Sequence, residues 1–378
     1  MIYYFSFFLL NVLFGLTNYI EKLKKFSKFF EIFAILLFIF IAGFRYEVGG
    51  DWDNYIIQFD GFSTIGFPSV AIFTSSDPVY IILNVISYKL GFGFVGVNVM
   101  CSAIFFLSFY LYIKKYENTI IGLVSTFLFI FVILSLGFTR QCLAIGFIFL
   151  FLNACYIRNF LFQFIFVILA LASHKSSLIF FLFYIISVIL NELPFLYNNK
   201  KKLFLRFKYQ IIISIIFILV LFMIFLIRDL ERLLGVYLSL NREIHIDVHQ
   251  SRTSPGVIYK FTFILFFSFL YLIFRKNMNF INKYERYIFD TYLIFSLSLL
   301  PLVGYLSLFV DRAIIYCYPF VALIICKYVQ TKVKEKFKLI FFLICSLISL
   351  LILYIWMEFA NHSQYWIPYK NYLFLNKF

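Results

Sequence analysis

Residues 44–55, FRYEVGGDWDNY, place an arginine, two adjacent glycines and two aspartates directly after an apolar run that ends at Phe44. These residue types can do group-transfer chemistry. A carboxylate close to an anion site can take the proton of an attacking hydroxyl, which is general-base work. Gly49 and Gly50 let the backbone turn tightly or approach a ligand. Arg45 offers a planar fork of donors that suits a diphosphate. Asp51 and Asp53 are the acids that could serve as the base. The D-x-D spacing of Asp51 and Asp53 would also suit a divalent cation carrying a diphosphate, although aspartates are common turn and cap residues.

Three distant positions repeat a local grammar. Thr139-Arg140, Ser173-His174-Lys175 and Asp311-Arg312 each set an N-cap residue type just before a cation, at an expected helix start. A helix N-terminus is already partly positive, so a cation there is unfavourable unless an anion joins it. Alone, each of these cations reads as a side chain snorkelling to lipid headgroups. Arg45, Arg140, Lys175 and Arg312 at one depth make a shared anion site the better reading. His174 reads as a base, a phosphate ligand or a polar helix start. His245 and His249 have i, i+4 spacing without a third ligand, so a metal site is not supported.

The elements that must position these residues are membrane helices. The chain of 378 residues is 63% hydrophobic and 13% charged, with a mean hydropathy of +0.96. Apolar runs of membrane length recur from end to end, which predicts an all-α polytopic membrane protein. The runs do not alternate, which argues against a β-barrel. Six cysteines lie in apolar runs without metal or disulfide spacing and read as small buried hydrophobes. The N-terminus has no basic start and reads as a retained first span.

The net charge of +15 is a topology signal. Lys and Arg gather at alternate connections, 22–28, 114–115, 158, 200–208, 275–286 and 327–338, as they do on cytoplasmic loops. That face holds 21 of the 33 cations and 7 of the 18 acids, and so +14 of the +15. Nucleic-acid binding is therefore not supported; the partner this charge points to is the bilayer.

The pattern predicts a single integral membrane domain over residues 1–378, with about twelve transmembrane helices and both termini outside. Spans are expected near 2–17, 29–44, 93–113, 119–137, 140–157, 159–173, 176–190, 209–227, 257–274, 288–309, 312–328 and 338–357. Residues 45–78 form a first outer loop, 79–91 an interfacial or re-entrant helix, and 228–255 a second large outer loop. Tyr46, Trp52, Tyr55, Tyr80, Trp356, Tyr365, Trp366 and Tyr369 read chiefly as an interfacial belt, with sugar stacking as the other use.

The loop RYEVGGDWDNY resembles the signature of the EpsG family, grouped with Wzy-type polymerases of bacterial surface polysaccharides. Arg45, Gly49, Asp51 and Tyr55 occupy its positions. Arg140-Gln141, His174-Lys175-Ser176, and Arg312 with Tyr316 match further short motifs, and Asp77-Pro78-Val79-Tyr80 resembles a Glu-Pro-x-Tyr element with Asp in place of Glu. Gly50 stands where a small hydroxyl residue is common, and Trp52 where Tyr is common.

The resemblance implies a GT-C-like polymerase in the bacterial cytoplasmic membrane, its site on outer loops. It would transfer a growing glycan from a polyprenyl-diphosphate carrier to a lipid-linked oligosaccharide repeat unit. Partners would be that lipid-linked oligosaccharide and chain-length or export machinery. Stabilising the leaving diphosphate is the main catalytic demand, which Arg45, Arg140, Lys175 and Arg312 would meet without metal or cofactor. Asp51 or His174 would be the base, and Gly49, Gly50, Asp53, Tyr55, Gln141 and Tyr316 would support the substrate. A lipid-linked oligosaccharide flippase, or another membrane glycosyltransferase or ligase with lipid-linked donors, is the alternative.

Overall fold

The computed structural model describes residues 1–63, 77–198, 254, 256–304 and 306–374, with side chains to Glu192 in the second segment. The expected span at 209–227, His245, His249 and nearly all of the 228–255 loop lie outside the described residues. The described chain is helical, and its one isolated β-bridge joins Arg45 to Asn371.

In chain order the helices are α1 (Ile2–Leu16), α2 (Ser27–Gly43), α3 (Trp52–Ser63), α4 (Pro78–Lys89), α5 (Gly93–Ile113), α6 (Thr119–Ser125), α7 (Thr139–Tyr156), α8 (Phe160–Ser173), α9 (Ser177–Asn198), α10 (Val257–Phe274), α11 (Lys283–Leu299), α12 (Ser307–Lys332) and α13 (Glu335–Phe359). Among the described residues five helices are long and apolar enough to cross a membrane: α5, α7, α10 with its short extension, α12 and α13. Helices α1, α8 and the first part of α9 are apolar but shorter. The described residues thus give a helical membrane protein with five of the twelve expected spans at full length.

Two expected spans differ in form. The segment at 119–137 is α6 followed by a π-helical stretch, Leu128–Ser135, and every residue of both is buried. An i→i+5 winding inside a helix is rare and often sits beside a functional site. The span expected at 288–309 stops earlier: α11 ends at Leu299, a short 3₁₀ turn containing Pro301 follows, and α12 starts anew at Ser307. The 45–78 loop also contains a helix, α3, because residues 52–63 alternate apolar and polar faces over three turns.

Helix α13 shows how lipid-facing and inward surfaces are divided. Leu343, Ile344, Leu347, Ile348 and Leu351 are exposed, while Ser346 and Ser349 are buried, and the Ser349 hydroxyl donates to the Ser125 carbonyl at 3.1 Å. Apolar side chains face out and small polar ones face in, as lipid demands. Small residues also set close approaches. A Cβ on Gly146 of α7 would lie 3.0 Å from the Phe105 backbone of α5, and one on Gly122 would lie 2.9 Å from the Ala322 carbonyl of α12.

Ion pairs separate the two ends of the bundle. Lys327–Glu285, Lys338–Glu117, Lys283–Glu192 and Arg275–Asp290 lie at the end where the basic clusters fall. The ends of α2 and α13 and the start of α7 meet at the other.

Candidate functional site

Asp77 is the hub of that second end. It stands directly before α4, whose first residue is Pro78, and its side chain makes no capping bond to the helix. Its carboxylate instead receives Arg140 Nη1 at 2.7 Å and lies 3.5 Å from His174 Nδ1. Only 5% of the Asp77 side chain is exposed. Burial pushes its carboxyl up, but His174 and Arg140 together outweigh burial and hold it below the usual carboxylate range. Arg140 lies in the first turn of α7, so the pair joins α7 to α4, and His174 adds the end of α8.

The Arg140 guanidinium sits 5.6 Å from the centre of the Tyr55 ring, and its Nε has no protein partner. Tyr55 is buried against Tyr80 and Phe94. Burial, then the charge of Asp51, push its hydroxyl pKa up, so it remains a neutral donor. Tyr55 is also within electrostatic reach of both Arg140 and Arg312. It therefore stands where two clusters adjoin.

The second cluster is built on α12. Arg312 Nη1 lies 3.5 Å from Asp51 Oδ2, and its guanidinium lies 4.5 Å from the Phe138 ring centre. Asp311, the preceding residue, takes Lys260 of α10 at 2.8 Å. Asp51 is 27% exposed and its contact with Arg312 is long, so its carboxylate keeps open acceptor positions. Further along α12, the Tyr316 hydroxyl meets the Ser176 hydroxyl at 2.8 Å, tying α12 to the turn between α8 and α9. Lys175 is half-buried in that turn.

Arg45, expected among the diphosphate cations, lies instead beneath the site with 1% of its surface exposed. Its guanidinium donates to the carbonyls of Ser135 at 2.8 Å and Ala42 at 3.3 Å, and to the Thr139 hydroxyl at 2.7 Å. Those bonds fasten the end of α2 to the connection that leads into Arg140. Gln141 is buried next to it. Asp53 is exposed on α3, whereas Asp51, just before that helix, faces Arg312.

The N-cap grammar also needs correction. Thr139 lies inside α7, with its hydroxyl taken by Arg45; Ser173 ends α8, its hydroxyl donating to Leu169; Asp311 lies within the first helical stretch of α12 and binds Lys260. In each case a tertiary or preceding-turn partner captures the group that would have capped.

Gly49 is forced by geometry. Its φ is +109°, and a Cβ there would fall 2.2 Å from the Leu136 carbonyl oxygen. Gly50 is different: it has an ordinary φ, and a Cβ would meet only the Trp366 ring, at 3.8 Å.

Sequence reasoning did not place Asp77, Lys260 or Asp311 in the site. The available signal for Asp77 was the Asp77-Pro78-Val79-Tyr80 element, which carried no role in the site. Nothing local in the sequence pairs Lys260 with Asp311, 51 residues away.

The family model for the EpsG family matches residues 28–371. No curated protein and no solved structure matches the chain.

Proposed function

The chain belongs to the EpsG family, of Wzy-type polysaccharide-polymerase-like membrane proteins, and on that premise we propose that it is a glycosyltransferase which polymerises lipid-linked repeat units. The observation that carries the reading is the convergence of Arg140, His174 and Arg312 with Asp77 and Asp51 around Tyr55 at one end of the bundle. The substrates would be two polyprenyl-diphosphate-linked oligosaccharides at the outer face of a bacterial cytoplasmic membrane. A GT-C-type arrangement, with an acid on an early outer loop, is part of the proposal.

In this reading the acceptor hydroxyl oxygen attacks the anomeric carbon of the donor sugar, and its proton passes to Asp51. The bond from that carbon to the diphosphate oxygen breaks, and the lipid diphosphate leaves with the electron pair. Arg140 and Arg312, with Lys175, stabilise the charge that develops on it. Asp51 suits the base because it is the more open acid, whereas the oxygens of Asp77 face Arg140 and the His174 ring. Asp77 orients Arg140 and His174, and Arg45 anchors the loop from below.

The test uses a strain deleted for the gene and complemented with single variants. Asp51→Asn and Arg140→Ala should each leave lipid-linked single repeats on the outer leaflet, with chain extension reduced by about 10²-fold or more. Long chains restored by both variants at normal protein level would overturn the assignment. Single repeats held on the inner leaflet would favour a flippase.

A further inference from the structure

The loop that carries Asp51 has little structure of its own. Between the end of α2 and the start of α3 the backbone passes through positive φ at Glu47 and Gly49. What holds it is the tail after α13, more than 300 residues later in the chain. Tyr46 N–H donates to the Lys370 carbonyl at 3.0 Å, Gly49 N–H to the Tyr365 carbonyl at 2.8 Å, and Tyr372 N–H to the Phe44 carbonyl at 2.7 Å. Lys370 pairs with Glu47 and, through that bond first, draws its carboxyl below the ordinary value.

Trp366 is the centre of this strap. Its indole N–H donates to the Val132 carbonyl at 2.9 Å, on the π-helical stretch, and its own carbonyl accepts the Tyr4 hydroxyl at 2.8 Å. The ring lies between two glycines: a Cβ on Gly137 would fall 2.9 Å from it, and one on Gly50 would fall 3.8 Å away. Gly137 leads into Arg140, and Gly50 precedes Asp51. A tryptophan of an interfacial belt keeps its indole at the headgroups, but Trp366 is 6% exposed and its N–H is bonded inside the protein.

We infer that Trp366 is a positioning residue for the transfer step: wedged between Gly137 and Gly50, it sets the place of Asp51 relative to Arg140 and Arg312, so that the C-terminal tail completes the active site. The inference rests on the reading of Asp51 as the base. It follows from the physics of preorganisation, since a catalytic group displaced by about 1 Å loses up to about 10²-fold in rate. Gly50, directly before Asp51, has no close neighbour but the Trp366 ring, so the loop's own residues do not supply that rigidity.

The experiment combines a local probe with a product readout. Asp51→Cys, made in the full chain, is labelled in membranes with an impermeant maleimide; the chain retaining Asp51 measures background from the native cysteines. Leu90→Cys, on an exposed turn after α4, is the control site. Adding Trp366→Ala should change the labelling rate at position 51 by about fivefold or more, the size expected for a modest shift in loop equilibrium, and leave position 90 unchanged. In the chain with Asp51 intact, Trp366→Ala should shorten the polymer to single or few repeats, and Trp366→Phe, which keeps a ring between the glycines, should recover part of the length.

An unchanged labelling rate at position 51 overturns the inference. A changed rate with full-length polymer means that the strap is real and the reading of Asp51 as base is wrong. Should Trp366→Ala fail to accumulate, Gly137→Ala displaces the ring from the other side and is read by the same labelling, with the same two outcomes.

Discussion

Asp77 and Asp51 lie at the same end of the bundle, yet their surroundings give them opposite work. Asp77 is buried with Arg140 at one oxygen and the His174 ring near the other, and Asp51 is open with one long contact. The pH dependence of Asp77 follows from the sign of its shift. Its carboxyl is held below the ordinary range in the fold, so its contribution to stability is complete above that range and is lost as pH falls through the depressed value. Thermal unfolding in detergent, followed from about pH 7 down to about pH 3, brackets the ordinary carboxylate value. The native protein should lose more stability over that interval than Asp77→Asn does, and equal slopes would remove Asp77 from the pair network. Chain extension by Asp77→Asn should fall by about 10²-fold, because Arg140 and His174 lose the group that orients them. In the sequence this division was hidden. Asp51 stood out through its glycines and Arg45, while Asp77 stood out only as the acid of a variant Glu-Pro-x-Tyr element, and its partners Arg140 and His174 come to it from α7 and the end of α8. Arg45 had the opposite fate: its type was legible as functional, but only the packed structure shows that its donors are used on carbonyls and a hydroxyl.

Between elements, the adjacent glycines make the sharpest contrast. Gly49 combines a positive φ with a Cβ position overlapping the Leu136 carbonyl, so Gly49→Ala must displace the connection between α6 and α7 or move the loop. Gly50 meets neither constraint. Gly49→Ala should therefore lower both protein level and polymer length, while Gly50→Ala keeps the protein level of the native chain; immunoblots and polysaccharide gels of the complemented strain read both. Comparable protein levels in the two variants would show that the approach to Leu136 is not rigid. Glycine requirement was visible in the sequence as a pair, and close backbone approach told which chemistry a glycine permits. Which of the two is obligatory depends on a carbonyl almost 90 positions away. Helix starts were expected at Arg140, Lys175 and Arg312 from apolar runs and charge; Arg312 instead lies inside α12, and the expected caps Thr139, Ser173 and Asp311 found other partners. Local grammar located the turns; tertiary competition decided what each polar group binds.

Across the whole molecule, the end opposite the site carries, among the described residues, several buried or part-buried ion pairs. Lys327 of α12 and Glu285 of α11 are each 2% exposed and 3.0 Å apart, and Glu285 also accepts the Ile281 N–H. Lys338 at the start of α13 reaches Glu117 before α6. The basic composition of this end was legible from alternate loop charges, but the ion pairs that join α11 to α12 and α13 to the α5–α6 turn depend on packing. A buried pair is costly to break on one side, because the surviving charge is left without a partner, by about 3–5 kcal/mol. Lys327→Met should thus reduce thermal stability sharply, and Lys327→Met with Glu285→Met should recover most of the loss by removing the stranded carboxylate. The double variant carries the long-range test, since α12 also holds Arg312 and Tyr316 at the far end. With the fold restored, chain extension per molecule should match the native protein, because the pair touches none of the groups around Tyr55. Extension falling as far as in Arg140→Ala, at recovered stability, would mean that the pair at one end of α12 sets the position of Arg312 at the other.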